Sequence, residues 1–380
     1  MINVSKLYCG LAGQSDWLRY ENTDSLGPIV VYNCTSRCNL RCLHCYSSSQ
    51  SNQNNNELST SEAKKLLSQL AEVNCPVVLF SGGEPLLRND LFELLFEAKK
   101  LGLRSVLSTN GTLIDSAATD RLAEAGVKYV GISIDGEEKF HDRFRNVKGS
   151  FKSALKGIEN CSRAGVKPGL RFTITRANCG EIAAVFDIAA SAGVRRICFY
   201  HLIRTGRAKK LQDEALKPEQ TRTAVDTIIE KTGDFVKKGL IDEVLTVGNH
   251  ADGPYVLTRI IREKSGHYET AKELLLANGG NKTGEKIICV GWDGNVYPDQ
   301  FWRNYSLGNV KDETFKQIRQ NSDEPVLNML RNKHKFADDR CKKCKWFDLC
   351  KGNFRFSGNK SGIECWRNEP ACYLRDDEIF

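Results

Sequence analysis

No window of the 380-residue sequence holds the roughly 18 consecutive apolar residues that a bilayer-spanning helix needs, so no spanning helix is expected. The opening residues, Met1-Ile2-Asn3-Val4-Ser5-Lys6, lack a basic stretch followed by an apolar one. No secretion signal is therefore read, and a cytoplasmic location is expected. A basic patch with interleaved aromatics is missing too. The one dense run, Lys342-Lys343-Cys344-Lys345, sits among cysteines, so no nucleic-acid partner is expected. The net charge of +8 suits an acidic small substrate instead. With 41% hydrophobic and 27% charged residues, the composition is that of an ordinary globular chain and excludes wholesale disorder and collagen-like repeats.

Cysteine is what the sequence has in excess, with 15 residues. Without a secretion signal, such a count argues for metal or iron–sulfur ligation rather than disulfides. Cys34, Cys38, Cys42 and Cys45 form one group, and Cys341, Cys344, Cys350, Cys365 and Cys372 another. Cys9, Cys75, Cys161, Cys179, Cys198 and Cys289 are scattered, and most of them read as small buried hydrophobes.

Residues 1–28 read as an irregular lead-in. Strand patterns then alternate with amphipathic runs. The strands are Ile29–Asn33, Val77–Phe80, Arg104–Ser108, Val127–Ile134, Leu170–Thr175 and Val194–Tyr200. Helices are expected from Ser59, where Glu62 completes a capping box, and over Asp90–Leu101, Asp115–Ala125, Phe151–Ala164, Glu181–Ala192 and Lys217–Lys238. Six strand–helix steps imply right-handed βαβ units and a parallel sheet, as a partial barrel or a doubly wound sheet. In either case the chemistry belongs at the carboxyl ends of the strands. After Lys238 the pattern breaks into a glycine-rich region with short strands. This places one domain over 29–240 and a second over 241–380.

Cys38, Cys42 and Cys45 follow the first strand with CxxxCxxC spacing. Three thiolates on one loop can hold three irons of a [4Fe–4S] cluster and leave the fourth open to an outside ligand. Zinc, with Cys34 as a fourth ligand, is the alternative reading. Gly82-Gly83-Glu84-Pro85 follows the second strand, where two glycines permit close backbone approach and Glu84 can meet an ammonium.

This pairing of motifs over residues 29–200 resembles the radical S-adenosylmethionine (SAM) superfamily. The resemblance implies a partial (β/α)6 TIM-like barrel with a C-terminal SPASM/twitch-like iron–sulfur extension. It implies that Cys38, Cys42 and Cys45 hold the catalytic cluster and that SAM chelates the open iron. Gly82, Gly83 and Glu84 would lie by its amino group, and His44 would pack on adenine. Asn110, Ser133 and Asp135, at the ends of the third and fourth strands, would contact the nucleoside, with turn and capping roles as their alternative. Arg171 would reach the carboxylate. A reduced cluster would cleave SAM to methionine and a 5′-deoxyadenosyl radical, fed by a low-potential donor such as ferredoxin or flavodoxin.

The second cysteine group fits zinc or iron–sulfur by spacing alone. The resemblance favours one auxiliary [4Fe–4S] cluster, making two in all. The full SPASM pattern is absent, since Phe354 and Asp299 stand where cysteines are expected. The expected ligands are Cys341, Cys344, Cys350 and Cys372, with Cys365 the rival for the fourth place and Cys289 a distant one.

Local segments, among them CTSRCNLRCLHCY (Cys34–Tyr46) and GNVYPDQFW (Gly294–Trp302), resemble the NirJ-type and 12,18-didecarboxysirohaem deacetylase branch. That resemblance implies an iron tetrapyrrole substrate. The expected reaction removes acetate side chains to give Fe-coproporphyrin III. The alternatives are propionate removal leading to haem d1 and SPASM-type peptide modification. His201 as an axial ligand, with Arg204 and Arg207 for carboxylates, are the candidate substrate contacts. A non-enzymatic electron carrier or zinc module is a further rival, to which GGEP on such an array would be useless.

Overall fold

The computed structural model describes residues 1–13, 16, 26–52, 56–353 and 371–380. Among these, eleven strands form one sheet. In chain order they are β1 (Ile2–Asn3), β2 (Ile29–Thr35), β3 (Val78–Gly82), β4 (Ser105–Thr109), β5 (Tyr129–Ser133), β6 (Lys167–Ile174), β7 (Arg196–His201), β8 (Glu243–Val247), β9 (Ile287–Val290), β10 (Asn295–Tyr297) and β11 (Gly308–Asn309). The order across the sheet is β1-β8-β7-β6-β5-β4-β3-β2-β9-β10-β11. The six expected strands are β2 to β7, all parallel. The sheet does not close, because β1 and β11 are its two edges.

Side chains alternate between the two faces of each strand. One set, including Val30, Val78, Phe80, Leu107, Val130, Ile132, Leu170, Ile197 and Val244, is fully buried in the main core. The helices between strands cover this face. They include α1 (Val4–Tyr8), α2 (Thr60–Glu72), α3 (Leu91–Lys100), α4 (Ser116–Glu124), α6 (Ser150–Arg163), α7 (Ile182–Ser191) and α8 (Pro218–Lys237), while α5 (Glu138–Arg145) adds no residue to this core. The capping box expected at Ser59 is present: its Oγ accepts from the Glu62 amide and the Glu62 carboxylate accepts from the Ser59 amide. The alternate set, Val31, Leu79, Ser81, Ser133, Arg171, Thr173 and Tyr200, lines a cavity on the inner face.

Two expectations are corrected. The lead-in is partly ordered: Ile2 and Asn3 pair antiparallel with Thr246 and Leu245, and Asn3 Oδ1 caps α1 by accepting from the Lys6 amide at 3.0 Å. Elements of two and five residues carry no readable periodicity. Helix α5 falls in a run to which the sequence pattern assigns no element, and only His141, Phe144 and Arg145 of its eight residues are buried. The alternation also outlasts Lys238, since β8 pairs parallel with β7 and β9 pairs parallel with β2. The sheet therefore runs across residue 240 without a break.

A smaller core of Trp302, Val326, Met329, Leu330, Ala337 and Phe347 builds the C-terminal part. Residues 371–380 are clasped to α8. Both Arg222 Nη atoms donate to the Glu378 carboxylate at 2.8 Å, and Trp346 Nε1 donates to the Glu378 carbonyl at 2.8 Å. Arg222, opposed by burial and aided by the Arg375 amide, holds the Glu378 carboxyl down at about 2. A depressed acid stabilises above its unfolded pKa and loses that contribution as pH falls toward the folded value. Glu378→Gln is expected to cost on the order of 1–2 kcal/mol at pH 7, the solvent-screened share of the pair. The difference from wild type, measured by urea unfolding, should shrink steadily from pH 5 towards pH 3. A pH-independent difference would count against the clasp.

Candidate active site

At the carboxyl ends of the strands lies a cavity of about 1050 Å³, counting its open mouth. The loop after β2 folds across it and brings Cys38, Cys42 and Cys45 to its wall together. Three neighbours hold this loop by its backbone. From β3, the Gly83 and Glu84 amides donate to the carbonyls of Thr35 and Arg37, each at 2.7 Å. From the segment after β7, Arg207 donates through its amide to Cys45 O at 2.9 Å, through Nε to Cys42 O at 2.8 Å and through Nη1 to Ser49 O at 2.6 Å. From the end of α5, the carbonyls of Phe144 and Arg145 accept from the Leu43 and Arg41 amides at 3.1 and 3.3 Å.

The glycine pair serves the first contact. A Cβ on Gly83 would stand 1.9 Å from Arg37 O, and one on Gly82, whose φ is +127°, 2.5 Å from Thr35 O. Two backbones cross here with no room for a side chain. Both glycines also line the cavity, but Glu84 does not. Its carboxylate is fully buried and accepts from Thr109 Oγ1 at 2.7 Å, Asn110 N at 2.8 Å and Leu86 N at 3.2 Å. Burial pushes its pKa up against those donors. Glu84 thus ties the end of β3 to the end of β4, and the expectation that it lies open to an ammonium is corrected.

The three thiols have distinct surroundings. Cys38 Sγ accepts from the Leu40 amide at 3.4 Å and lies 3.9 Å from Asn110 Nδ2. Cys42 Sγ accepts from Arg145 Nη1 at 3.4 Å, and Cys45 Sγ lies 3.3 Å from Ser47 Oγ. Burial, reinforced by Glu84, pushes the Cys38 thiol up to about 12, and burial also raises Cys42. Metal binding must therefore release protons here. Cys34, the fourth ligand of the zinc alternative, lies in the main core with its Sγ donating to Ser81 O at 3.3 Å.

His44, Asn110, Ser133 and Arg171 line the same cavity. His44 stacks on Phe144, with ring centroids 4.5 Å apart, and burial pushes its pKa down to about 4, so it is neutral. Asn110 also has the turn role weighed for it: its Oδ1 accepts from the Thr112 amide at 2.9 Å. The Arg171 guanidinium lies 4.8 Å from the Tyr200 ring centroid and donates to the Tyr200 hydroxyl. Asp135 is set behind the wall, fully buried, with its Oδ2 2.5 Å from Arg145 Nε. Burial works to raise its pKa, but Arg145 outweighs it and holds the carboxyl below the usual range. The expected nucleoside contact from the Asp135 side chain is corrected for that reason.

His201 lines the cavity, with Nε2 2.8 Å from Asp252 Oδ2; Tyr373 Oη donates to the other Asp252 oxygen at 2.7 Å. Arg207 lines it too, yet its donors serve loop carbonyls. Arg204 is exposed and outside the lining, although Ile203 and Arg207 on either side of it are part of that lining. Residues not anticipated are Arg145, Tyr46 and Phe301. Arg145 and His141 are four apart on α5, a spacing legible in the sequence, but nothing there showed that α5 runs along the cysteine loop.

In the second group, Cys341 lies on a short helix, Asp339–Lys343, with Cys344 at its C-terminal cap, and Cys350 ends another, Phe347–Cys350. The C-terminal segment adds Cys372, whose Sγ accepts from Arg340 Nη1 at 3.4 Å. Burial raises the Cys344 thiol, and Cys372 lies near enough to raise it further. Cys365 lies outside the described residues. Cys289 belongs elsewhere, in the sheet with Val31 and Tyr297. Asp299, in place of an expected cysteine, accepts from the Phe301 amide at 2.8 Å and from Thr283 Oγ1 at 3.0 Å. Among the described residues, no three His, Cys, Asp or Glu side chains gather as around a single ion. A [4Fe–4S] cluster asks instead for thiolates at separate irons.

Residues 32–177 match the family model of the radical SAM superfamily, and residues 282–345 that of the SPASM iron–sulfur cluster-binding domain. The chain is 45% identical to Fe-coproporphyrin III synthase of Methanosarcina barkeri over 100% of its own length and 99% of the relative's. It is 36% identical to pre-heme d1 synthase of Dinoroseobacter shibae, over 91% of this chain and 86% of that one. Among solved structures, native anSMEcpe with bound AdoMet superposes with a TM-score of 0.69 at 22% identity, covering 91% of this chain and 93% of that one.

The crossing at Gly83 is directly testable. In the metal-free chain, Gly83→Ala is expected to speed alkylation of Cys38, Cys42 and Cys45 by about tenfold or more while Cys34 stays protected, read by peptide mass spectrometry. Unchanged rates would mean the loop is held by its other contacts alone.

Proposed function

The chain belongs to the radical SAM superfamily and carries a SPASM domain, and from that premise we propose that it removes acetate side chains from 12,18-didecarboxysirohaem to give Fe-coproporphyrin III. The observation that carries this reading is the end-to-end likeness to Fe-coproporphyrin III synthase, at 45% identity. The likeness to pre-heme d1 synthase is lower, at 36%, and supports the same haem and haem d1 context. The domains bring a catalytic [4Fe–4S] cluster, SAM and an auxiliary iron–sulfur cluster. Together the first two supply, when bound and reduced, a 5′-deoxyadenosyl radical that abstracts hydrogen from the substrate.

Cys38, Cys42 and Cys45 hold the catalytic cluster in this reading. Their support is that all three thiols reach one cavity while Cys34 faces the core. Gly82, Gly83, His44, Asn110 and Ser133, on the same wall, receive SAM. Arg171 meets its carboxylate, held in place by Tyr200. Glu84 and Asp135 act from behind, the first tying strand ends and the second fixing Arg145. In the same lining, Tyr46 and Phe301 meet edge to face at 5.5 Å and offer an apolar wall for a flat macrocycle. Cys341, Cys344, Cys350 and Cys372 hold the auxiliary cluster, in a domain taken to run over 241–380 beside a barrel domain over 29–240. The electron donor is a low-potential carrier of the ferredoxin or flavodoxin kind. No helix among the described residues is long and apolar enough to cross a membrane.

Incubating the reconstituted protein anaerobically with SAM, a strong reductant and 12,18-didecarboxysirohaem should give 5′-deoxyadenosine together with stepwise loss of acetate groups, both read by mass spectrometry. Cys42→Ala should abolish both products and remove about half of the bound iron. Deoxyadenosine with an unchanged tetrapyrrole would overturn the substrate assignment. Propionate loss instead would favour the haem d1 step.

A further inference from the structure

Among the described residues, Arg145 has a guanidinium that reaches a thiol of the first cysteine group and a fully buried carboxylate at once. Nη1 donates to Cys42 Sγ at 3.4 Å, and Nε donates to Asp135 Oδ2 at 2.5 Å. Both partners lie out of bulk water, with 9% of the Arg145 side chain and none of Asp135 exposed. Neither group is free to drift. The Arg145 carbonyl accepts from the Arg41 amide of the cysteine loop, so main chain and side chain grip the same loop. Asp135 is fixed in turn: its amide donates to His141 Nδ1 at 3.2 Å, and its carbonyl accepts from Asn178 Nδ2 at 3.3 Å.

The electrostatics of this arrangement have a sign. Adding an electron to a thiolate-bound cluster adds negative charge, and hydrogen bonds and cations at the sulfurs stabilise the added charge and raise the potential. Burial keeps that interaction strong. The Asp135 carboxylate opposes it, because a negative charge beside the guanidinium cancels part of its field. We propose that Arg145 is a positioning residue acting through Cys42, and that the Arg145–Asp135 pair sets the reduction potential of the catalytic cluster, the cation raising it and the carboxylate trimming it. This rests on the reading that Cys38, Cys42 and Cys45 hold that cluster.

The two partners predict opposite shifts, which a purely structural role does not. Reconstituted full-length protein would be titrated anaerobically and followed by electron paramagnetic resonance (EPR). The signal that responds to added SAM marks the catalytic cluster. Arg145→Gln is expected to lower its potential by the equivalent of at least a tenfold fall in the one-electron equilibrium, about 59 mV. Asp135→Asn is expected to raise it, and Arg145→Lys to recover most of the loss. Iron and sulfide contents confirm that the clusters are retained. If Arg145→Gln retains no cluster, the direction of the Asp135→Asn shift decides. Unchanged potentials, shifts of the same sign, or loss of the cluster from all three variants would overturn the proposal. Persistence of the SAM-responsive signal in Cys42→Ala would instead overturn the ligand reading on which it rests.

Discussion

The cavity depends on a crossing of two backbones that excludes a side chain. At Gly83 the end of β3 passes so close to the Arg37 carbonyl that a methyl group there would stand 1.9 Å away. The crossing fixes the residue just before Cys38. Everything after it inherits that placement: the turn through Leu40, the reach of Cys42 toward Arg145 and the return of Cys45 under Arg207. A loop carrying three thiols would otherwise be free to fold away from the strands, at a considerable gain in chain entropy. The clamp consists of main-chain hydrogen bonds, which are insensitive to the state of the thiols themselves.

Behind this wall three buried carboxylates are each engaged. Glu84 joins two strand ends through three donors, Asp135 holds Arg145, and Asp252 accepts from both His201 and Tyr373. Buried carboxylates are stable only when so satisfied. The cavity surface is left to neutral and cationic side chains, among them His44, Asn110, Ser133 and Arg171. That surface suits a ligand bearing its own carboxylate.

Much of this was legible in the sequence, and the reasons for the rest are specific. The strands β2 to β7 announced themselves through branched and aromatic runs, and the capping box at Ser59 through its spacing. The gathering of the three cysteines was readable because their spacing keeps them on one loop. Glu84 and Asp135 were legible as important but not in their orientation, since a carboxylate at a strand end can point either to the mouth or behind it. Arg145 was illegible because its significance lies in a contact between residues 103 positions apart. Strand β1 was lost for want of length, β8, as long as β3, β4 or β5, was lost in a region read as glycine-rich after Lys238, and Arg204 was overvalued because proximity in sequence stood in for direction.

The sheet's wiring also bears on how the chain comes into being. Strand β2 pairs with β9 through Ile29 and Ile287, and β1 at the amino terminus pairs with β8 through Ile2 and Thr246. During synthesis both early strands emerge long before their partners. One edge of β2 therefore remains an unpaired hydrogen-bonding template until residue 290 has left the ribosome. Contacts so distant in sequence slow the search for the native state and lengthen exposure to other chains. The cysteine loop lies directly after β2, so it forms beside an unfinished sheet. Delivery of iron and sulfide during that interval would meet thiols not yet fixed in place, whereas delivery afterwards would meet a preformed cavity.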